Sequence, residues 1–108
     1  MTTIPQMTTE TSGAATPGTE TLREEARDLL DDMVAIRRTL HRWPELGNHL
    51  PVTRETVLGA LEGLPLDLTL HETTSGIAAM LTGGKPGPTV LLRGDMDALP
   101  MTEDTGLD

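Results

Sequence analysis

The sequence is poor in the residues from which a small domain usually builds its core. Among its 108 residues there are no Cys, Phe or Tyr and one Trp. The absence of Cys excludes a disulfide framework and a thiolate metal ligand within the chain. With a single large aromatic side chain, a hydrophobic fraction of 36% is low for a domain that folds alone. We therefore expect the chain to be part of a larger folded unit.

Basic residues are also scarce, with eight Lys and Arg against seventeen Asp and Glu and a formal net charge of −9. Proteins that bind phosphate backbones rely on Lys and Arg, so nucleic acid and anionic membrane are not expected partners. No apolar run is long enough to span a membrane. Residues 1–20 lack the basic region and the apolar run of a secretory signal, which predicts a cytoplasmic location.

The same first twenty residues are mostly Thr, Gly, Ala, Ser and Pro, without apolar periodicity. Such a segment buries too little apolar surface to offset the entropy of ordering. We predict a disordered leader at residues 1–20 and a folded region at residues 21–108.

Two helices are predicted after the leader. Thr21 and Glu24 have the spacing of a capping box, and Pro44 should end the first helix near Trp43. Pro51 to Gly63 predicts a second helix, with Gly63 as its C-terminal cap. Apolar residues recur in the first helix at steps of three and four, the spacing of one helix face: Leu22, Ala26, Leu29, Leu30, Met33, Ile36, Leu40 and Trp43.

Three strands are predicted next, at Leu66–Leu70, Gly76–Thr82 and Thr89–Arg93. Residues 83–88 are rich in Gly and Pro, so the second and third runs are expected to pair like a hairpin. Two helices before three strands indicate an α/β layer that is incomplete.

A pair of carboxylates, Asp95 and Asp97, lies just after the third predicted strand within the segment Arg93–Pro100. Active sites of α/β sheets gather just beyond strand ends, and residues i and i+2 of a strand share one face. Paired carboxylates often bind divalent cations or orient His ligands. On spacing alone, however, an acidic turn at a strand end explains the pair better than a metal site.

Longer motifs strengthen the functional interpretation. His41–Gly47 matches the pattern H-x-x-P-E-L-G, and Gly84–Val90, Arg93–Pro100 and Met101–Leu107 come after it in the expected order. The chain thereby resembles the M20 peptidase family from about Leu22 onward, in the branch of hippurate hydrolases, auxin-conjugate hydrolases and N-acetyl-diaminopimelate deacetylases. The resemblance implies the N-terminal part of a three-layer αβα, zinc-peptidase-like catalytic domain.

The chain departs from the family pattern in three places. Trp43-Pro44 replaces His-Pro, and Asn48–Pro51 replaces a more acidic segment. The family's metal-binding motif H-A-C-G-H-D should come soon after Leu107, and the chain stops at Asp108. The resemblance therefore implies that the metal ligands and the Glu that acts as general base lie outside this chain.

Residue roles are implied by the resemblance alone. Asp97 matches an Asp that accepts a hydrogen bond from a ligand His and so orients it. Asp95 stands where the wider family has a metal-binding His, so the resemblance assigns no metal ligand within this chain, with Asp95 as the one alternative. His41, His49 and His71 are better explained as solvated or hydrogen-bonded than as ligands.

The activity implied for the complete protein is that of a metal-dependent amidohydrolase. Its substrate would be a small N-acyl amino acid, its products a carboxylic acid and a free amino acid, and its cofactor two divalent ions, Mn²⁺ or Zn²⁺. A homo-oligomer is compatible with this assignment, and the fragment alone is expected to be inactive.

Two other interpretations are open. One is a truncated remnant without activity, which differs from the enzyme only in the residues beyond Asp108. The other is an interaction module, because Arg93-Gly94-Asp95 is an R-G-D tripeptide. An R-G-D ligand needs an exposed loop, whereas this triplet directly extends a predicted strand.

Overall fold

The computed structural model describes residues 18–106, so the predicted leader lies outside it except for residues 18–20. The helices are α1 (Thr19–Asp28), α2 (Leu30–Arg42) and α3 (Pro51–Leu61). The strands are β1 (Asp67–Leu70) and β2 (Ile77–Met80). Helices and a small sheet after them make an α/β unit, as predicted, and the arrangement is consistent with part of an αβα domain.

The first predicted helix is present in two pieces. At Leu29 the amide bonds to Ala26 O at 3.2 Å, which is a tighter turn than the α-helical one, and α2 begins at the next residue. Asp31 and Asp32 lie in the first turn of α2, where negative charge complements the helix dipole. The predicted capping box is wrong: α1 starts at Thr19, so Thr21 already lies inside the helix.

The other helix limits were predicted correctly. Helix α2 ends at Arg42, two residues before Pro44, and α3 begins with Pro51 in its first turn. Gly63 has a φ of 83°, a left-handed conformation that glycine adopts readily after a helix.

The sheet differs from the predicted one. Strands β1 and β2 pair antiparallel, with Asp67 opposite Met80 and Leu70 opposite Ile77. The predicted third strand, Thr89–Arg93, is wrong: none of residues 81–106 lies in a strand, so the predicted hairpin with β2 is absent from the described chain. An apolar run forms a strand only beside a partner, and β2 pairs with β1 instead of with the Thr89–Arg93 run.

Few side chains are buried. Among residues 18–106, Leu50 is the single buried apolar side chain, and the buried polar ones are Thr53 and Ser75. All three lie where the α2–α3 loop, the start of α3 and the β1–β2 turn meet. The small core therefore sits around this loop. No helix within the described range combines the length and apolar character needed to cross a lipid bilayer.

Candidate functional site

The loop between α2 and α3, residues 43–50, is called the linking loop here, and it contains most of the first family motif. Its Glu45 carboxylate turns back onto the start of α3. Oε1 accepts a hydrogen bond from the Thr53 amide at 2.6 Å, and Oε2 accepts one from the Val52 amide at 3.2 Å. The first amides of a helix have no partner within the helix, and a side-chain oxygen usually satisfies them. Glu45 thus caps α3 from outside, because Leu50 at the N-cap position has no side-chain oxygen.

The contacts of Glu45 favour its ionised form. Partial desolvation on its own would raise the pKa of the carboxyl. The hydrogen bonds from the Thr53 backbone and hydroxyl and from the Val52 amide, together with the nearby His49, outweigh this effect and lower the pKa below its ordinary value of 4.5. At neutral pH the capping group is therefore a carboxylate.

The linking loop is also joined to the turn between β1 and β2. Ser75 Oγ accepts a hydrogen bond from the Leu50 amide at 2.6 Å, and the Ser75 amide donates to Asn48 O at 2.8 Å. Arg54 of α3 donates from Nη1 to His71 O at 3.1 Å. Because Ser75 and Leu50 are both buried, these bonds fix the loop between helix and sheet.

An open cleft of about 320 Å³ lies beside these contacts. It contains neither Asp95 nor Asp97, so it is separate from the predicted site. Its lining combines the start of α3 with the β1–β2 turn: His49, Pro51, Arg54, Glu55, Leu58, Glu72, Thr74 and Ser75.

The segment Arg93–Pro100, here called the acidic loop, docks against the same linking loop. The Ala98 amide donates to Glu45 O at 2.7 Å. Ala98 and Met96 are half-buried, whereas every residue from 81 to 95 is exposed. A second contact joins His41 Nε2 to Glu103 Oε1 at 3.9 Å, just beyond the acidic loop. The two family motifs, far apart in sequence, therefore meet in space.

The structure places the predicted carboxylates on the surface of the acidic loop. Asp95 Oδ1 lies 3.0 Å from Arg93 Nη2 in an ion pair whose side chains are both mostly exposed. Asp97 is exposed and directly precedes the docked Ala98. Because no strand forms there, the predicted placement of both carboxylates on one strand face does not apply. The R-G-D triplet is exposed, but so is the whole preceding segment, so its exposure does not indicate recognition.

A complete metal centre is not formed by the described residues. Within residues 18–106, no three His, Cys, Asp or Glu side chains come close enough together to hold a metal ion. His41 lies near Glu103, His49 lies near Glu45, and His71 is exposed. The donor set of this part of the chain therefore does not fit the pair of ions that the resemblance implies.

The cap by Glu45 was not predicted from the sequence. Pro51 marks the start of α3, but the capping carboxylate lies six positions earlier, outside the usual capping spacing. Ser75 was missed as well, since a Ser in a turn normally bonds locally and this one bonds across to the linking loop.

Known hydrolases are similar to this chain over most of its length. Over 80 residues the chain is 40% identical to an N-acetyldiaminopimelate deacetylase of Listeria innocua, covering 73% of this chain and 22% of that protein. The same type of deacetylase from Streptococcus uberis is 42% identical over 79 residues, covering 70% and 21%. Thermostable carboxypeptidase 1 of Saccharolobus solfataricus is 36% identical over 90 residues, covering 82% and 23%. No protein-family model and no solved structure matches the chain.

These relatives are hydrolases by name, a deacetylase and a carboxypeptidase. The chain belongs to the M20 peptidase family, as its motifs predicted. It spans about a fifth of the length of the curated relatives it matches.

Proposed function

We propose that this chain works as part of a metal-dependent amidohydrolase that cleaves N-acylated amino acids. The observation that carries the proposal is the 40% identity to N-acetyldiaminopimelate deacetylase over 80 residues. In the reaction, water adds to the acyl carbon, the C–N bond breaks, and a proton passes to the leaving nitrogen. The products are a carboxylic acid and a free amino acid.

The contribution of this chain is to hold the acidic loop in place. Asp97 sits next to Ala98, whose amide is fixed by Glu45 O at 2.7 Å. In the proposal, Asp97 orients a metal-binding group by accepting its hydrogen bond, and Asp95 remains the alternative ligand. Two divalent ions, Mn²⁺ or Zn²⁺, are the proposed cofactor. Residues 18–106 do not form a complete site for them, so the hydrolytic step and the metal ligands, apart from the alternative Asp95, are assigned to other parts of the protein.

The function is tested by comparing residues 1–108 with the chain extended to the length of its relatives. We expect the extended protein to hydrolyse N-acetyl amino acids or hippurate when Mn²⁺ or Zn²⁺ is added, and residues 1–108 to show no turnover. Turnover by residues 1–108 at a similar rate would refute the assignment of the chemistry to other residues. Failure of the extended protein on every N-acyl substrate would refute the proposal.

Similarity to a carboxypeptidase supports a second candidate, the removal of a C-terminal residue from a peptide. Both substrates place the scissile amide beside a free amino-acid carboxylate. Dipeptides assayed beside N-acetyl amino acids separate the two, and the better substrate is the one with the higher kcat/KM.

The roles of the two carboxylates give a sharper prediction. In the extended protein, Asp97→Ala should lower activity or metal affinity by about 10–100-fold, the usual effect of losing a group that orients a ligand. Asp95→Asn, the comparison variant, should have a smaller effect. Metal titration and kcat/KM measure both, and the reverse ranking would show that the motif has been mapped onto the wrong carboxylate.

A further inference from the structure

We propose that Glu45 is a positioning residue that couples the start of helix α3 to the acidic loop and thereby fixes the backbone beside Asp97. The coupling rests on geometry, and its meaning for catalysis rests on the function proposed above. Glu45 uses two separate groups, a side-chain carboxylate that faces α3 and a backbone carbonyl that faces Ala98.

The carboxylate makes a two-point contact with α3. Its oxygens take the Thr53 and Val52 amides at 2.6 and 3.2 Å, so both oxygens are engaged and the side chain has little rotational freedom. Gly47, with a φ of 78°, reverses the linking loop between Glu45 and the helix. That reversal allows a residue six positions before Pro51 to reach the first turn of α3.

The carbonyl makes the contact with the acidic loop. It accepts a hydrogen bond from the Ala98 amide at 2.7 Å. Within the acidic loop, partial burial is confined to residues at or near this contact. Met96 and Ala98 are half-buried, whereas Asp95 and Asp97 project on the exposed side. The exposed carboxylates are thus held on a backbone that is itself anchored.

Both contacts belong to one residue, so loss of the carboxylate contact with α3 should weaken the carbonyl contact with Ala98. If the carboxylate no longer caps α3, the linking loop loses its hold on the helix and the Glu45 carbonyl is no longer presented to Ala98. A cap that served α3 alone would leave Ala98 unaffected. The exchange rate of the Ala98 amide therefore distinguishes a positioning role from a purely structural one.

The experiment is amide hydrogen exchange by NMR on residues 1–108, comparing the natural chain with three variants. Glu45→Ala should accelerate exchange at Val52, Thr53 and Ala98 by about tenfold. Val52 and Thr53 lose the carboxylate that accepts from them, and the carbonyl of residue 45 is no longer held against Ala98. Glu45→Gln should give a smaller effect, since its amide oxygen can accept from Thr53 while its NH₂ group cannot accept from Val52. Ala60→Gly is the matched control: it weakens the last turn of α3 and leaves Glu45 in place, so Ala98 should keep its rate.

Faster Ala98 exchange in both Glu45 variants, but not in Ala60→Gly, supports the coupling. Acceleration confined to Val52 and Thr53 would overturn it, as would an Ala98 amide that exchanges without protection in the natural chain. Acceleration of Ala98 by Ala60→Gly to the same degree would also overturn it. The measurement requires no turnover, so an inactive extended protein with a coupled Ala98 refutes the proposed function alone, and an active one with an uncoupled Ala98 refutes the positioning role alone.

Discussion

Gly47 shows how one residue sets the path of the linking loop. Its φ of 78° lies in the left-handed region, where residues with a Cβ are strained. A Cβ built at this position would meet no neighbouring atom within 4 Å, so backbone conformation rather than crowding is the reason for glycine here. The last residue of the H-x-x-P-E-L-G motif thus has a conformational role.

Replacing Gly47 should therefore destabilise the chain by a predictable amount. We expect Gly47→Ala to lower the free energy of unfolding by about 1–2 kcal/mol, the cost of a left-handed conformation for a residue with a Cβ. Urea denaturation monitored by circular dichroism measures the change. Gly83→Ala is the control, because Gly83 has open space and no positive φ. Equal effects of the two substitutions would contradict the explanation.

At the scale of elements, the sequence predicted those helix ends that nearby Pro and Gly residues determine. Pro44, Pro51 and Gly63 restrict their own backbone, so the end of α2 and both ends of α3 could be predicted. The break at Leu29 could not be, since the apolar spacing continues through it without a Pro or Gly. The prediction of a third strand was wrong. Thr89–Arg93 has the composition of a strand, but a strand forms only beside a partner, which composition does not specify.

For the candidate site, the sequence predicted which residues belong to the motifs but not which contacts they make. The motifs indicated Asp95 and Asp97, and the relatives confirm the family that the motifs suggested. Nothing in the local sequence indicated that Glu45 caps α3 or that its carbonyl meets Ala98. Both contacts depend on the path of the linking loop in three dimensions, which residue spacing does not encode.

The cap on α3 should make this helix sensitive to acid. Partial desolvation opposes ionisation of Glu45, but the hydrogen bonds from Thr53 and Val52 prevail and lower its pKa below 4.5. A carboxyl with a lower pKa in the folded state stabilises that state above the unfolded value, and this contribution is lost as pH falls through the folded value. We expect α3 to lose stability as pH drops below about 4.5, the ordinary carboxyl value.

Thermal unfolding monitored by far-UV circular dichroism, from neutral pH into the acidic range, measures this effect. Glu45→Gln should be less stable at neutral pH and should show a weaker dependence on pH in the acidic range. Glu55→Gln is the control, because the Glu55 side chain lies on an exposed part of the same helix. Identical pH profiles for the natural chain and Glu45→Gln would contradict the proposed cap.

The part of the chain that the structure describes, residues 18–106, is extended and exposes much of its apolar surface. Its radius of gyration is 16.7 Å, whereas a compact domain of similar length has about 13 Å. Val90, Leu91 and Leu92 are 81%, 88% and 90% exposed and form a consecutive apolar run. Exposed apolar runs with unpaired backbone favour association with other chains.

Residues 1–108 should therefore self-associate through this run. We expect Leu91→Lys to weaken association by about tenfold or more, because burial of one Leu contributes about 1.5–3 kcal/mol. Thr89→Lys adds the same charge at a neighbouring polar position and should have a smaller effect. Sedimentation velocity over a range of concentrations measures both, and equal effects would show that charge rather than apolar contact governs association.

The hydrogen bond between Ala98 and Glu45 also bears on the order in which the chain folds. The bond between Leu50 and Ser75 closes a loop of 25 positions, and the one between Ala98 and Glu45 closes a much longer one. Because the entropy lost on closing a loop rises with its length, the shorter contact can form first. Helix α3, the linking loop and the β1–β2 hairpin would then assemble early, and the acidic loop would be the last part to join and the first to detach.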